Sequence, residues 1–270
     1  MSRCRGYLTR MTYTSWSKRT ENPNWAVFPN RYSKTLGKVI GLATREQILD
    51  AFAGLRVSDV SDGMDWVMLH DMGLVDRAIR PVARGMKMCG VAKTFRLVPS
   101  DHKIPDMPPE QYTEYVRWYY QNVIGWDILS MLEPGDIVVI DASNVDAGLI
   151  GSNNSLDWVK LGARGVLTNG GCRDTDEIVL QKIPVFSRYI SRTMVQGRLE
   201  YASCNHPVDV GGVLIRPGDI VVGDGDGVIC VPAERALEVA KYARQEHEAD
   251  RKRRRAQYEA LNMPLDETVL

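Results

Sequence analysis

The chain has 270 residues, 44% of them hydrophobic and 25% charged, as in a globular protein with room for one large domain or two small ones. Its 34 Lys and Arg balance 34 Asp and Glu, so no overall field favours nucleic acid or an anionic membrane, and no apolar run approaches the ~18–20 residues that span a bilayer. The five cysteines, Cys4, Cys89, Cys172, Cys204 and Cys230, are scattered with no C-x-x-C pair, which argues against a disulfide framework or zinc knuckle and for a reducing, cytoplasmic setting.

Residues 1–40 differ from the rest. Arg3, Arg5, Arg10, Lys18 and Arg19 precede the first acid, Glu21, a bias shared with organellar transit peptides. The aromatic, proline-rich stretch from Asn22 to Pro29 points instead to an arm packed on the body or on another subunit. A single catalytic domain is expected over 41–258, with a tail at 259–270.

The globular pattern starts at Thr44-Arg45-Glu46-Gln47, a capping box, with Ile48, Leu49, Phe52 and Leu55 on one apolar face. A second short helix is expected at Trp66 to Leu69. Ile79-Arg80-Pro81 opens a β region, and Lys87 to Leu97 reads as one long strand or two short ones. A proline-rich loop spans 99–111. Glu110 to Leu132 then has helical periodicity through Tyr112, Tyr115, Val116, Tyr119 and Val123. This aromatic face suits core packing, with burial against another subunit as the alternative.

Pro-Gly-Asp-Ile-Val-Val occurs twice, at 134–139 and 217–222. Each Pro-Gly turn feeds a β-branched strand that ends in an aspartate, Asp141 or Asp224. Between them the pattern gives a helix from Leu156 to Leu161 closed by Gly162, then a strand from Val166 to Thr168. Gly170-Gly171 reads as a sharp bend that lets backbone approach a ligand. A short helix and a strand from Ile183 to Ser187 follow. Val208 to Ile215 reads as one further strand, and Asp224-Gly225-Asp226-Gly227 as a hairpin turn that returns Val228 to Val231. Ala233 to about Gln257 forms a long C-terminal helix. Its basic run, Arg251 to Arg255, follows Glu246, Glu248 and Asp250 and suits a solvated or intersubunit face.

Two places gather the polar groups that chemistry needs. Gly151-Ser152-Asn153-Asn154 leads with glycine into a helix, where open N–H groups and the helix dipole favour an anion. Arg173-Asp174 follows a strand of the same β–α–β unit, so both open on one edge of the sheet. Arginine recognises a carboxylate bidentately, which suggests a small acid as ligand. Asp174 is a candidate ligand for a hard cation, because Mg²⁺ keeps several waters and takes one or two protein carboxylates when the substrate supplies oxygens. Zn²⁺ would need more protein ligands. The histidines, His70, His102, His206 and His247, show no ligand spacing. Cys172 adjoins Arg173, but no histidine is placed to activate it, and a buried turn thiol is expected.

The run Gly162-x-x-Gly165-Val166-x-x-x-Gly170-x-x-Arg173-Asp174, with a glycine-led loop about twenty residues earlier, resembles the RraA-like family. That family includes divalent-metal aldolases acting on 4-hydroxy-4-methyl-2-oxoglutarate and 4-carboxy-4-hydroxy-2-oxoadipate. Ser58 to Asp62, Val91 to Thr94, Ile183 to Phe186, Gly211 to Val213, Arg216 to Asp219 and Asp224 to Val228 match its pattern in order. The resemblance covers roughly 44–250 and leaves the first forty residues and the aromatic stretch near 100–125 as additions.

The resemblance implies an α/β fold, a β/β/α sandwich of the swivelling-domain type, here with an N-terminal arm and a long C-terminal helix. It implies a homotrimer or a dimer of trimers. It also implies that Gly151, Ser152, Asn153 and Asn154 hold a pyruvate-type carboxylate, that Arg173 binds substrate, and that Asp174 holds Mg²⁺ or Mn²⁺. Glu246 or Glu248 of a neighbouring copy's helix would hold metal-bound waters. The implied activity is a lyase cleaving a carbon–carbon bond of a 2-oxo acid through a pyruvate enolate, of the 4-hydroxy-4-methyl-2-oxoglutarate aldolase or oxaloacetate decarboxylase type. No lysine that could form a Schiff base lies in the two loops; Lys160 sits on the intervening helix and Lys182 before the next strand. One departure stands out: the aldolases often carry an acidic residue and then apolar ones where Ser152, Asn153 and Asn154 stand. The pocket is therefore more polar, which leaves open another lyase, such as a sugar-acid dehydratase. The family also includes non-catalytic regulators of ribonuclease E.

Overall fold

The computed structural model describes residues 44–125 and 127–270. The expected N-terminal arm, 1–40, lies outside them. Helix α1 (Arg45–Phe52) begins in the expected capping box: the Thr44 hydroxyl accepts the Gln47 N–H at 3.3 Å, and the Gln47 side chain accepts the Thr44 N–H at 2.8 Å. The second helix, α2 (Val57–Trp66), lies earlier than expected and ends where it was thought to start. Its polar opening, Ser58 to Asp62, conceals the helix in the sequence. Asp59 caps it by accepting the Arg56 N–H at 2.9 Å.

Nine strands form one sheet among the described residues, in the order β1-β6-β5-β3-β2-β10-β11, with β4 beside β5 and β7 beside β2. In chain order they are β1 (Arg80–Pro81), β2 (Met88–Pro99), β3 (Asp136–Asp141), β4 (Gly148–Ile150), β5 (Gly165–Cys172), β6 (Val185–Ile190) and β7 (Leu199–Cys204). After the hairpin β8 (Val208–Val210) and β9 (Val213–Ile215), β10 (Ile220–Asp224) and β11 (Gly227–Val231) complete them. The strands β2, β3, β5 and β6 run parallel. Parallel neighbours need crossovers. Helix α4 (Ser152–Lys160) leads into β5, and α5 (Thr175–Gln181) connects β5 to β6. The label α3 belongs to Tyr112–Tyr119.

Every residue of β3 is buried, as expected for a parallel strand covered on both faces. Ile137 and Val139 pack with Leu167, Phe186 and Val221, whereas Val138 and Ile140 pack with Phe95, Tyr119 and Trp158. The sheet curls until its outer strands approach. Arg80 Nη1 donates to the carbonyls of Gly225 at 3.4 Å and Asp226 at 3.0 Å, and Leu74 bridges Ile229.

The long strand β2 serves two partners along one side. Met88 to Val91 pairs with β10, and Phe95 to Pro99 with β7, with an irregularity between Arg96 and Leu97. The C-terminal helix α6 (Ala236–Ala260) lies across α2. Together with α1 these helices cover β10 and β11 through Phe52, Val60, Met64, Val239, Ile220, Val222 and Val231. The contact is close at Gly63, where an added Cβ would lie 2.6 Å from the Val239 carbonyl oxygen.

Three expectations need correction. Val208 to Ile215 is a hairpin, not one strand, because Gly211 and Gly212 take φ of +62° and +78° and turn the chain back. The helical periodicity from Glu110 to Leu132 is broken. Helix α3 continues as a π-turn over Tyr120–Ile124 and stops at Gly125, at φ +73°. Its aromatic face is core, as Tyr119 is fully buried and donates its hydroxyl to the Leu199 carbonyl at 2.8 Å. Finally, Gly170-Gly171 is not a bend, since β5 runs through both to Cys172. An added Cβ would meet Ala142 Cβ at 2.6 Å from Gly170 and the Ala147 carbonyl oxygen at 2.5 Å from Gly171. The two glycines admit the chain's own 142–147 segment rather than a ligand.

Candidate active site

The chain leaves β5 at Arg173 and turns at Asp174, which takes the left-handed conformation (φ 56°, ψ 41°) at the N-cap of α5. The residue pair therefore sits at the carboxyl edge of the parallel strands, where open α/β sheets place ligands. Strand β4 ends beside it, and the Arg173 N–H donates to the Ile150 carbonyl at 2.8 Å. From β4 the chain enters α4 with Gly151 as N-cap. The helix thus starts at Ser152, not at Leu156 as its apolar pattern suggested. The expected glycine-led loop is its first turn.

The two predicted elements meet. Ser152 N–H and Oγ both donate to Asp174 Oδ2, at 3.1 Å and 3.3 Å, and Arg173 Nε donates to Asp174 Oδ1 at 3.1 Å. Gly151 makes this possible, since a Cβ there would stand 2.7 Å from Asp174 Oδ2. Gly148 does the same for Arg173, whose Cδ would be 2.8 Å from an added Cβ. Burial alone would raise the Asp174 carboxyl, but the Arg173 guanidinium and the Ser152 amide outweigh it and hold the group below the usual carboxylate range.

The arrangement refines the expected anion site. The Ser152 amide holds the chain's own carboxylate, and the Gly151 N–H donates to Asn154 Oδ1 at 2.7 Å. Helix geometry leaves the Asn153 and Asn154 amides without an intrahelical acceptor. The Asn154 side chain is held at both ends, its Nδ2 donating to the Leu149 carbonyl at 2.8 Å.

A cavity of about 340 Å³ opens here, in the size range of small-molecule sites. Gly151, Asn153, Asn154, Arg173 and Asp174 line it, as do three residues the sequence did not single out: Tyr120, Asp157 and Met194. Asp157 follows Asn153 by four residues and so shares its helix face. Tyr120 comes from the π-turn, inside the stretch that looked like an addition to the body. Glu246 and Glu248 do not line the cavity of their own chain. Glu246 accepts the Trp66 indole N–H at 2.9 Å, and Glu248 pairs with Arg251 at 3.0 Å.

No cysteine or histidine lines this cavity among the described residues. Cys172 is buried, and its thiol is pushed up to about 12 by burial and by the nearby Asp174 charge, so it is the inert thiol expected. His102 lies with Asp101 and Glu200 in a group of ligand-type side chains away from the cavity lining, a proximity the sequence spacing did not reveal.

A family model described as RraA-like, Aldolase/RraA, matches residues 57–230. A Halalkalibacterium halodurans protein with the provisional name 4-hydroxy-4-methyl-2-oxoglutarate aldolase is 34% identical over 124 residues, 46% of this chain and 59% of its own length. A Deinococcus radiodurans protein with the same provisional name is 35% identical over 102 residues, 37% of this chain and 62% of its own. The matches thus span about three fifths of the length of these curated relatives. Among solved structures, Streptomyces coelicolor RraAS2, described as an unusual member of the RNase ES inhibitor RraA protein family, aligns with a TM-score of 0.62. Its identity is 22%, over 76% of this chain and 97% of that one, a likeness of fold.

Proposed function

The chain belongs to the RraA-like family, and from that premise we propose that it is a Mg²⁺- or Mn²⁺-dependent lyase cleaving a carbon–carbon bond of a 2-oxo acid. The observation that carries this reading is the meeting of Arg173, Asp174 and the first turn of α4 at one cavity. The aldolase names of the two bacterial relatives support it.

The donor set suits a hard cation that keeps waters. Two carboxylates, Asp174 and Asp157, and the Asn153 side chain belong to the cavity lining, with no thiol or imidazole among the described lining residues. Asp174 would hold the ion, because its carboxyl stays ionised and reaches the cavity. When bound, the ion supplies a Lewis acid for the 2-oxo group, the electron sink that the cleavage requires.

The protein's own groups then have distinct tasks. The amides of Asn153 and Asn154 and the Arg173 guanidinium receive the substrate carboxylate and fix its plane. Arg173 also offsets charge that develops on substrate oxygen as the C3–C4 bond breaks and its electron pair moves toward the carbonyl. The proton of the 4-hydroxyl leaves as that carbon becomes a carbonyl, and Asp157 is the exposed lining carboxylate available to accept it through a water. Protonation at C3 completes pyruvate. The reading includes assembly as a trimer or dimer of trimers, in which Glu246 or Glu248 of one copy reaches the next copy's cavity.

A second reading, a sugar-acid dehydratase on the same site, is favoured by the polar wall of Asn153 and Asn154. A metal-replete screen of 2-oxo and 4-hydroxy acids coupled to pyruvate detection tests the first reading. Pyruvate release that EDTA abolishes supports it. Release that survives chelation, or a product other than pyruvate, overturns it.

A further inference from the structure

The charges around the cavity say more about the substrate than the reaction type does. Arg173 is the one cation among the described lining residues, and Asp157 and Asp174 are both anionic. With a divalent ion in place, as the lyase reading on which this inference rests requires, and a neighbouring copy's glutamate set aside because it would only lower the sum, this chain's own lining keeps one net positive charge. That is enough for one carboxylate. A second carboxylate farther along the substrate would find no lysine or arginine among the described lining residues, and would meet Asp157.

Beside Leu149 and Met194, the remaining wall carries groups suited to hydroxyls. Asn153 and Asp157 share a face of α4, one able to donate and accept and the other to accept. Tyr120 faces them from the π-turn with a phenol that burial keeps protonated, the nearby Gln196 amide acting the other way. Gln196 itself is 1% exposed, and its amide stands against the Tyr120 hydroxyl. A buried amide behind a tyrosine hydroxyl is a polar end-wall, not an apolar stop.

We propose that the substrate is a polyhydroxylated 2-oxo monocarboxylate, not a dicarboxylate, and that Asp157, Asn153 and Tyr120 select for its hydroxylated end. The aldolase substrate named for the relatives carries two carboxylates and would leave one unpaired here.

The test is binding by calorimetry to the full chain with Mg²⁺, using two six-carbon acids that lack a 4-hydroxyl and so cannot be cleaved: 5,6-dihydroxy-2-oxohexanoate and 2-oxoadipate. The dihydroxy acid should bind about tenfold more tightly. Asp157→Lys, at an exposed helix position, should reverse that order without changing thermal unfolding, and Tyr120→Phe should weaken only the dihydroxy acid. Equal or tighter binding of 2-oxoadipate by the native protein, an unchanged order in Asp157→Lys, or no binding of either acid overturns the inference. The lyase reading fails separately. Pyruvate released from 4-hydroxy-4-methyl-2-oxoglutarate as readily as from a 3-deoxy-2-oxo-hexonate keeps the lyase and removes this selectivity. Selective binding with no metal-dependent pyruvate release does the opposite.

Discussion

Ser152 donates both its backbone N–H and its hydroxyl to Oδ2 of Asp174, at 3.1 Å and 3.3 Å. The N-terminus of α4 therefore fixes a carboxylate at the mouth of the sheet, and Arg173 fixes its other oxygen. Asp174→Asn keeps the size, and asparagine tolerates the left-handed backbone found there. Pyruvate formation should fall by about 10²–10³-fold. The thermal midpoint should shift little, which calorimetry would check beside the kinetics.

Gly151→Ala tests the same placement from the other side. The new Cβ would come within 2.7 Å of Asp174 Oδ2 and must push the carboxylate away. Displacements of this order cost roughly tenfold to a hundredfold in rate. Mg²⁺ affinity, measured by titration, should weaken in parallel while the fold persists.

The Asp174 carboxyl is held below the usual range, chiefly by Arg173 and the Ser152 amide against the opposing effect of burial. A carboxyl with a lowered folded pKa contributes stability above its unfolded value and loses it as pH falls through the folded value. The acid limb of kcat/KM should accordingly lie below the ordinary aspartate range. In Arg173→Gln that limb should move to higher pH, readable in a pH–rate profile.

Cys172 adjoins the site in sequence yet is buried in β5. With its thiol near 12, iodoacetamide at pH 7.5 should leave the native activity intact. Mass spectrometry should find this cysteine unmodified.

Gly63 is a stability test far from the chemistry. Gly63→Ala would place a methyl 2.6 Å from the Val239 carbonyl oxygen and force α2 from α6. The expected cost is about 1–3 kcal/mol, measurable by urea unfolding.

The sequence was most readable where chemistry is local. Thr44 and Gln47, Gly225 with its hairpin, and the two Pro-Gly-Asp turns each announce a geometry set by neighbours along the chain. Arg173 and Asp174 could be picked out because a cation and an anion side by side after an apolar strand are conspicuous. What escaped depended on distant partners. Gly170 and Gly171 have the composition of a turn, but the 142–147 segment that presses on them makes them strand. Tyr120 reads as one aromatic among many, and only a π-turn that shifts the register of α3 brings it to the cavity. The start of α4 was hidden because Ser152 and Asn153 face solvent or the site, so no apolar period marks the first turn.

The double pairing of β2 also sets an order of assembly. Its partner β3 follows within about forty residues, but β10, which pairs with Met88 to Val91, comes more than a hundred residues later. During synthesis, β2 therefore emerges with half of one edge unpaired and stays so until residues 220–223 leave the ribosome. Contacts that distant close slowly, and an open strand edge is a template for another chain. A nascent chain arrested before Ile220 exposes that edge with Cys89 and Val91 upon it. Productive folding of this protein thus waits for its last strands, and its yield depends on how quickly they arrive.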